Sequence, residues 1–402
     1  MPYRLAEASR HHKCTPFCGV FTSDTFLKEH AMRPSFYGQD KIRYAVVGAG
    51  WFGQVAVLPA FENAENSELV AIVSGDVEKR AILSQEYDVP AYPYEELEDL
   101  MESGTIDAVY LVTPNSKHRE HTLMAARHGI HVLCEKPLAD TVHAAREMKM
   151  ACEDADVKLM TAYRLHFEPM NLLAIELTND GTIGEPRLFS SINTQVIDEG
   201  NARLIRSLGG HPLLDIGIYC VNAARYLFRD EPEEVSAYAA TSADPRFRQV
   251  PEMVSAVMRF PGERLAMISC GFGESKVSHA QLIGTKGDIR MNPAFSFAAK
   301  RRLTLTVGKD TKKQDFPAQD QVAPQIVYFS ECILNDRQPE PDADEAIADL
   351  LVIEAMILSI ERGIAIPLQP TIGMTRPNFR QLITRPAVRE PELVNAAAPS
   401  DD

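Results

Sequence analysis

Basic side chains are scarce in this 402-residue chain: 41 lysines and arginines stand against 56 aspartates and glutamates, a net charge of −15. Affinity for a polyphosphate backbone comes mostly from clustered Lys and Arg, so neither nucleic acid nor an anionic membrane surface is expected as a partner. Long apolar runs are missing too. None approaches the ~18 residues of a membrane span, and the N-terminus shows neither an apolar signal segment nor a twin-arginine pair, so the expected location is the cytoplasm. The seven cysteines (Cys14, Cys18, Cys134, Cys152, Cys220, Cys270, Cys332) are odd in number and scattered, a pattern of reduced thiols rather than of a disulfide framework. Tryptophan occurs once, at Trp51.

What is present suffices for more than one core. With 45% hydrophobic and 24% charged residues over this length, two globular domains are expected. Residues 1–40 have neither helical nor strand periodicity and read as an irregular arm. Its His11, His12, Cys14 and Cys18 lack a second ligand pair at finger-like spacing, so no metal site is expected. Over 41–163, short apolar runs (IRYAVV, LVAIVS, IDAVYLV, IHVLC) alternate with amphipathic stretches, among them 77–87 and 140–155. That alternation predicts crossover units on a parallel sheet, a Rossmann domain. Over 164–370 the runs lengthen and are joined by tight turns, with Pro261-Gly262 and Gly287-Asp288 as turn signals. An α+β domain with a large open, mainly antiparallel sheet follows. ADEAIADLLVIEAMILSIERG reads as a helix starting at Asp342 or Asp344 and stopping at Gly363. Residues 371–402, rich in Pro and Arg, read as a surface-hugging tail.

The first strand runs into Gly48-Ala-Gly50-Trp51-Phe52-Gly53, a G-x-G-x-x-G between a predicted strand and a predicted helix. The first glycine permits the turn, the second lets the backbone approach a pyrophosphate, and the third lets helix and strand pack closely. The helix N-terminus offers free N–H groups to the phosphates. Cofactor choice is read after the second strand, at Ser74-Gly-Asp76-Val-Glu78-Lys79-Arg80. Ser74 with Lys79 or Arg80 would take a 2′-phosphate, which favours NADP(H). Asp76 turned inward would select NAD(H) instead, whereas as a helix cap it would be neutral to the choice.

In an open parallel sheet, ligands bind beyond the carboxyl ends of the strands. The tips Thr113-Pro114-Asn115 and Glu135-Lys136-Pro137 therefore face the cofactor, with His118 just inside the following helix. His118 and His121 have a spacing that can bind metal, but a helix start beside the cofactor is the reading adopted. Lys136 is badly placed for packing and well placed for chemistry, with Pro137 stopping the strand behind it. Further on, His211, Asp215 and Tyr219 recur every four residues and share one helical face, which suggests a polar stripe looking into a cleft or a satisfied core network.

YAVVGAGWFG, SGDVEK, TPNSKH, HVLCEKPLA, AYRLHFEPMN and LGGHPLLDIGIYCVNAARYLF together make residues 42–365 resemble the glucose-fructose oxidoreductase and inositol dehydrogenase (Gfo/Idh/MocA) family, most closely its glucose-fructose oxidoreductase-like branch. The resemblance implies a catalytic Lys136, an active-site carboxylate at Asp215, and Tyr219 as the group exchanging a proton with the substrate oxygen. It also supports Ser74 and Lys79 as 2′-phosphate contacts, and a C-terminal sheet through which a homodimer or homotetramer forms. His211 stands where the family usually has a third glycine, and the N-terminal arm is unlike that of the branch.

The physical logic agrees with these roles. A free tyrosine with a pKa of roughly 10 is a poor base near neutrality unless a cation stabilises its phenolate, and Lys136 would supply one. Arg164, His166, Arg203, Arg206 and His211 are candidates for holding sugar hydroxyls, or else exposed or interdomain charges. The expected activity is NADP(H)-dependent hydride transfer to or from a sugar or polyol. A non-sugar cyclic diol or dicarbonyl as substrate, or a non-catalytic NAD(P)-binding regulator, is the alternative.

Overall fold

The computed structural model describes residues 41–369 and 375–399. The arm read over 1–40, with its candidate zinc ligands, lies outside the described residues. Six strands, β1 (Ile42–Val47), β2 (Ser67–Val73), β3 (Ala91–Tyr92), β4 (Ala108–Leu111), β5 (His131–Glu135) and β6 (Leu159–Ala162), form a sheet in the order β3-β2-β1-β4-β5-β6. Every neighbouring pair is parallel. Buried on both faces, the long strands are apolar almost throughout: all of Ala108–Leu111 and Leu159–Ala162 is buried. The order reverses between β1 and β4, which opens a crevice above their carboxyl ends.

The crossovers are α1 (a π-helical turn at Gly53–Val57 continuing through Leu58–Ala60), α2 (Val77–Tyr87), α3 (Leu97–Glu102), α4 (Asn115–Arg127) and α5 (Val142–Asp154). Their ends follow local chemistry. The Asp76 side chain caps α2 by accepting from Glu78 N and Lys79 N, and Thr141 caps α5 by accepting from Ala144 N.

The second half starts with α6 (Pro169–Asn179) and β7 (Pro186–Val196), followed by α7, a π-helical turn at Leu213–Gly217 continuing as Ile218–Phe228. Then come β8 (Glu234–Ala240), β9 (Met253–Phe260), β10 (Arg264–Gly271), β11 (Gly273–Gly284), β12 (Gly287–Asn292), β13 (Arg301–Val307) and β14 (Asp310–Phe316). After β15 (Gln319–Asp320) the chain forms α8 (Ala323–Leu334), α9 (Ala343–Arg362), β16 (Ile366–Pro367) and β17 (Arg385–Pro386). The nine-stranded sheet has the order β14-β13-β12-β11-β7-β10-β9-β8-β16. It is mainly antiparallel, as the tight turns predict, but β7 and β10 run parallel. That pairing joins strands far apart in sequence, so no hairpin signal marks it. The β9–β10 turn falls at Pro261–Glu263, where Gly262 has φ +72°, whereas the β11–β12 turn lies at Thr285–Lys286 and Gly287 opens β12 instead of making the turn.

One face of this sheet packs on α7 and α9. The other is open, and strict alternation along β9 leaves Met253 and Val257 exposed while Val254, Ala256 and Met258 are buried.

The core beneath the six-stranded sheet borrows from late in the chain. Ile326, Val327 and Phe329 of α8 are buried against Tyr44, Ile72, Tyr110 and Leu133. Ser330 Oγ lies 2.8 Å from both Tyr44 Oη and Ser67 Oγ, and Asn66 donates to Val327 O at 2.9 Å. The five cysteines among the described residues are free and buried. No helix among the described residues is long and apolar enough to cross a membrane, and no cluster there could hold a metal ion.

Candidate active site

The glycine turn after β1 is dictated by space. Gly48 has φ +109°, and a Cβ there would lie 2.7 Å from Val112 O; a Cβ at Gly53 would lie 2.6 Å from Gly48 O. At Gly50, by contrast, a Cβ would meet nothing within 4 Å. The backbone is open at the one position where a pyrophosphate has to approach, so the loop fits a dinucleotide. Gln54, buried in the first turn of α1, donates to Ala49 O at 2.9 Å and braces the loop. Trp51 and Phe52 sit at its tip, and Phe52 packs edge-on at 5.6 Å against Phe297 from the second half of the chain.

At the end of β2, Ser74 is buried and its carbonyl accepts from Arg80 Nη1 at 2.7 Å. Arg80, named beside Lys79 in the sequence, is thus the basic group held against Ser74. Asp76 does not turn inward. One carboxylate oxygen caps α2 at 2.9 and 3.0 Å, and those bonds hold its pKa below the ordinary value.

The two strand-tip loops are tied together by His118. Its Nε2 lies 2.9 Å from Thr113 O and its Nδ1 3.0 Å from Pro137 O. The ring has no accessible surface, and burial lowers its pKa. His118 therefore braces the loops from inside instead of facing the cofactor. Asn115 reaches across the crevice to donate to Gly209 O at 2.9 Å. Glu135 is also engaged within the protein: Tyr110 Oη donates to it at 2.9 Å, Lys136 N donates at 3.2 Å, and burial raises its pKa.

Lys136 stands at the carboxyl end of β5, and its peptide to Pro137 is cis. Its Nζ donates to Asp215 O at 2.7 Å and Asp215 Oδ1 at 3.2 Å, and lies 4.8 Å from the centre of the Tyr219 ring. Burial alone would lower the pKa of this ammonium, but Tyr219, Asp215 and Glu135 outweigh it and the pKa is raised. Lys136 is therefore a fixed cation through neutral pH. Asp215 also accepts from Arg203 Nε at 2.8 Å and Gln195 Nε2 at 3.2 Å. Burial would raise its pKa, yet Arg203 and Lys136 pull it down to about 2. Asp215 lies in the π-helical turn of α7 and Tyr219 just beyond it, an irregularity frequent at functional sites. Lys136, Asp215 and Tyr219 thus come together in one cluster.

The other candidates divide. Arg164 is buried, with its guanidinium carbon 4.8 Å from the Tyr219 ring centre, and is held by Gln321 and Phe295 O. His166 has no accessible surface; Glu340 lies 3.0 Å from its Nδ1 and Asn222 2.8 Å from its Nε2, so it belongs to a core network and not to a sugar pocket. Arg206 is exposed and donates to Gln249 O at 3.0 Å. His211 lies beside the Gly209-Gly210 turn, its Nδ1 accepting from Leu213 N at 3.1 Å, and burial together with Arg206 lowers its pKa to about 4. Sequence reasoning missed Phe295, whose ring stacks on Tyr219 with centroids 6.1 Å apart. It comes from the loop between β12 and β13, where only the paired phenylalanines of Phe295-Ser-Phe297 hint at a site.

Comparison with known proteins bears on this arrangement. Residues 42–163 match the profile described as an oxidoreductase family with an NAD-binding Rossmann fold, and residues 172–290 match the GFO/IDH/MocA C-terminal domain. D-xylose 1-dehydrogenase [NADP(+)] of Haloarcula marismortui is 34% identical over 324 residues, covering 78% of this chain and 90% of that protein. The crystal structure of aldose-aldose oxidoreductase from Caulobacter crescentus complexed with glycerol is 36% identical, covers 82% of this chain and all of that one, and superposes with a TM-score of 0.78. Trans-1,2-dihydrobenzene-1,2-diol dehydrogenase of Xenopus laevis is 30% identical over 260 residues, 64% of this chain and 75% of that protein. A glycine turn opening onto a crevice, a mixed nine-stranded sheet behind it, and these two profiles converge on one conclusion: the chain is an oxidoreductase of the GFO/IDH/MocA family.

Proposed function

We propose that this protein is an NADP(H)-dependent dehydrogenase or reductase of a sugar or polyol, with Tyr219 and Lys136 as the proton-transfer pair. The observation that carries the reading is the Lys136 ammonium 4.8 Å from the Tyr219 ring, secured by Asp215 at the mouth of the crevice. The relatives named for an NADP(+)-dependent xylose dehydrogenase and for aldose-aldose chemistry support the cofactor and the substrate class. Gly48, Gly50 and Gly53 with the start of α1 would hold the pyrophosphate, and Ser74 with Arg80 or Lys79 the 2′-phosphate. When bound, the nicotinamide supplies the hydride acceptor or donor.

The chain's own residues do the rest. In oxidation the substrate hydroxyl loses its proton to Tyr219 as its carbon loses hydride; in reduction Tyr219 returns the proton to the carbonyl oxygen. Lys136 sets its positive charge beside the Tyr219 ring, and Asp215 fixes the ammonium there. Arg203 and Gln195, both bonded to Asp215, and His211 would position substrate hydroxyls. General acid-base help of this kind is typically worth about 10² to 10⁴ in rate. Turnover of aldoses with NADP+ by Tyr219→Phe and Lys136→Ala is expected to fall by that range; wild-type turnover in either variant would sink the assignment.

Phe295 stacked on Tyr219 favours one second reading, an apolar cyclic diol in place of a sugar, as the dihydrodiol dehydrogenase relative suggests. Parallel assays with aldoses and with cyclic trans-diols separate the two. The open sheet face, with Ile192, Val257, Leu265 and Met267 each at least a third exposed, supports a homo-oligomer formed through it.

A further inference from the structure

The C-terminal tail does more than hug the surface. It is anchored where β17 pairs with β15 and Arg385 donates to Asn63 O at 3.0 Å and to Glu65 at 2.5 Å. It then runs to α1, where Val394 and the Gln54 side chain exchange two hydrogen bonds: Gln54 Nε2 donates to Val394 O at 2.9 Å and Val394 N donates to Gln54 Oε1 at 2.8 Å. The same Gln54 amide holds Ala49 O, so the tail is bonded to the brace of the phosphate loop. The next residue, Asn395, donates to Asp76 Oδ2 at 3.2 Å and Glu78 Oε2 at 2.9 Å, at the ribose end of the crevice. Four residues later Pro399 O accepts from Asp198 N at 3.0 Å, just beyond β7 in the other half of the molecule.

Four residues reach at most about 14 Å, so the tail passes directly from the nucleotide-binding half to the other half. Gly50 and Gln54 flank the diphosphate position and Ser74 and Asp76 the ribose position, so that passage lies over the adenosine end of the crevice. We propose that residues 385–399 form a strap that closes this end of the cofactor site and slows release of the nucleotide, with Asn395 as its latch. The strap rests on the NADP(H) reading above. Its hold on Asp76 also has a bearing on cofactor choice: one carboxylate oxygen is on the α2 cap and the other is turned to Asn395 of the strap. The strap is built to open. Val394 is half-buried against the core, but Leu393, Asn395 and Ala397 are exposed and both Asn395 bonds lie at solvent, the signature of a latch with low local stability.

Nucleotide release from the full-length protein tests this, with Trp51 as the reporter. Protein loaded with NADPH is mixed with excess NADP+ and the change in Trp51 emission gives the release rate. Asn395→Ala removes both latch bonds, which go to charged acceptors, and is expected to speed release about tenfold. Asn395→Asp sets a third carboxylate beside Asp76 and Glu78, and is expected to release faster still at low salt and to slow again as salt screens the repulsion. Asn395 is exposed, so neither change threatens the fold, and an unchanged melting temperature of the nucleotide-free protein would verify that. Release from both variants within about twofold of wild type, with binding intact, overturns the strap alone. Failure of the wild type to bind NADPH overturns the nucleotide reading and the strap with it.

Discussion

Charge at Asp215 is the residue-scale feature with the sharpest consequence. A carboxyl whose pKa is about 2 in the folded protein and 3.8 ordinarily contributes stability that is present above 3.8 and lost as pH falls through about 2. The stability difference between wild type and Asp215→Asn is therefore expected to be largest above about pH 4 and to shrink towards pH 2, measured by urea unfolding across that range. A difference independent of pH would mean that Asp215 is not held as an anion by Arg203 and Lys136. Lys136, Asp215 and Tyr219 were legible in the sequence because each broke a local rule: a lysine at the end of a buried strand, and polar residues recurring on an apolar helix. His118, read beside the cofactor from its place at a helix start, turned out to be a buried brace, since sequence position alone does not say which side of a loop a ring takes. Phe295 obeyed no local rule at all. It meets Tyr219 only through folding, 76 residues away in the chain.

Among the elements, α7 carries both the site and its support. Asp215 and Tyr219 face the crevice, while Arg225, with no accessible surface, pairs with Glu231 at 2.7 Å, Glu345 at 3.1 Å and Asp349 at 2.5 Å. Arg376 adds a second guanidinium against Glu231 and Glu345. Removing one partner from such a buried group leaves uncompensated charge, so Arg225→Met is expected to destabilise the protein by about 3–5 kcal/mol in denaturant unfolding. A loss below about 1 kcal/mol would show that the carboxylates find other partners. In the six-stranded sheet β1, β2, β4 and β5 were legible from periodicity, and α2 to the residue at both ends, because capping by Asp76 and strands buried on both faces leave strong local marks; the two-residue β3 and the short α3 were not. The β13–β14 hairpin and α8 were not. The hairpin's polar, half-exposed strands lack clean alternation, and α8 is apolar enough that its period is blurred.

At the scale of the whole molecule, the proposed homo-oligomer rests on the open sheet face. Met267→Lys places a charge in the middle of its apolar surface and is expected to weaken a homo-oligomer, read as a fall in sedimentation coefficient with activity per site assayed alongside. An unchanged sedimentation coefficient would move the interface elsewhere. The chain's architecture also has a consequence in time. The nucleotide-binding sheet is complete by residue 162, yet Tyr44, Ile72 and Tyr110 are covered by side chains that lie at 326–329. A ribosome delivering the chain at roughly 5–20 residues per second exposes that apolar surface for many seconds before α8 emerges to cover it. The first half therefore cannot finish folding as it is made, and a fragment ending near residue 163 is expected to aggregate or to unfold without cooperativity in calorimetry. Folding of this protein is a closing of the chain on itself, in which the last third completes what the first third begins.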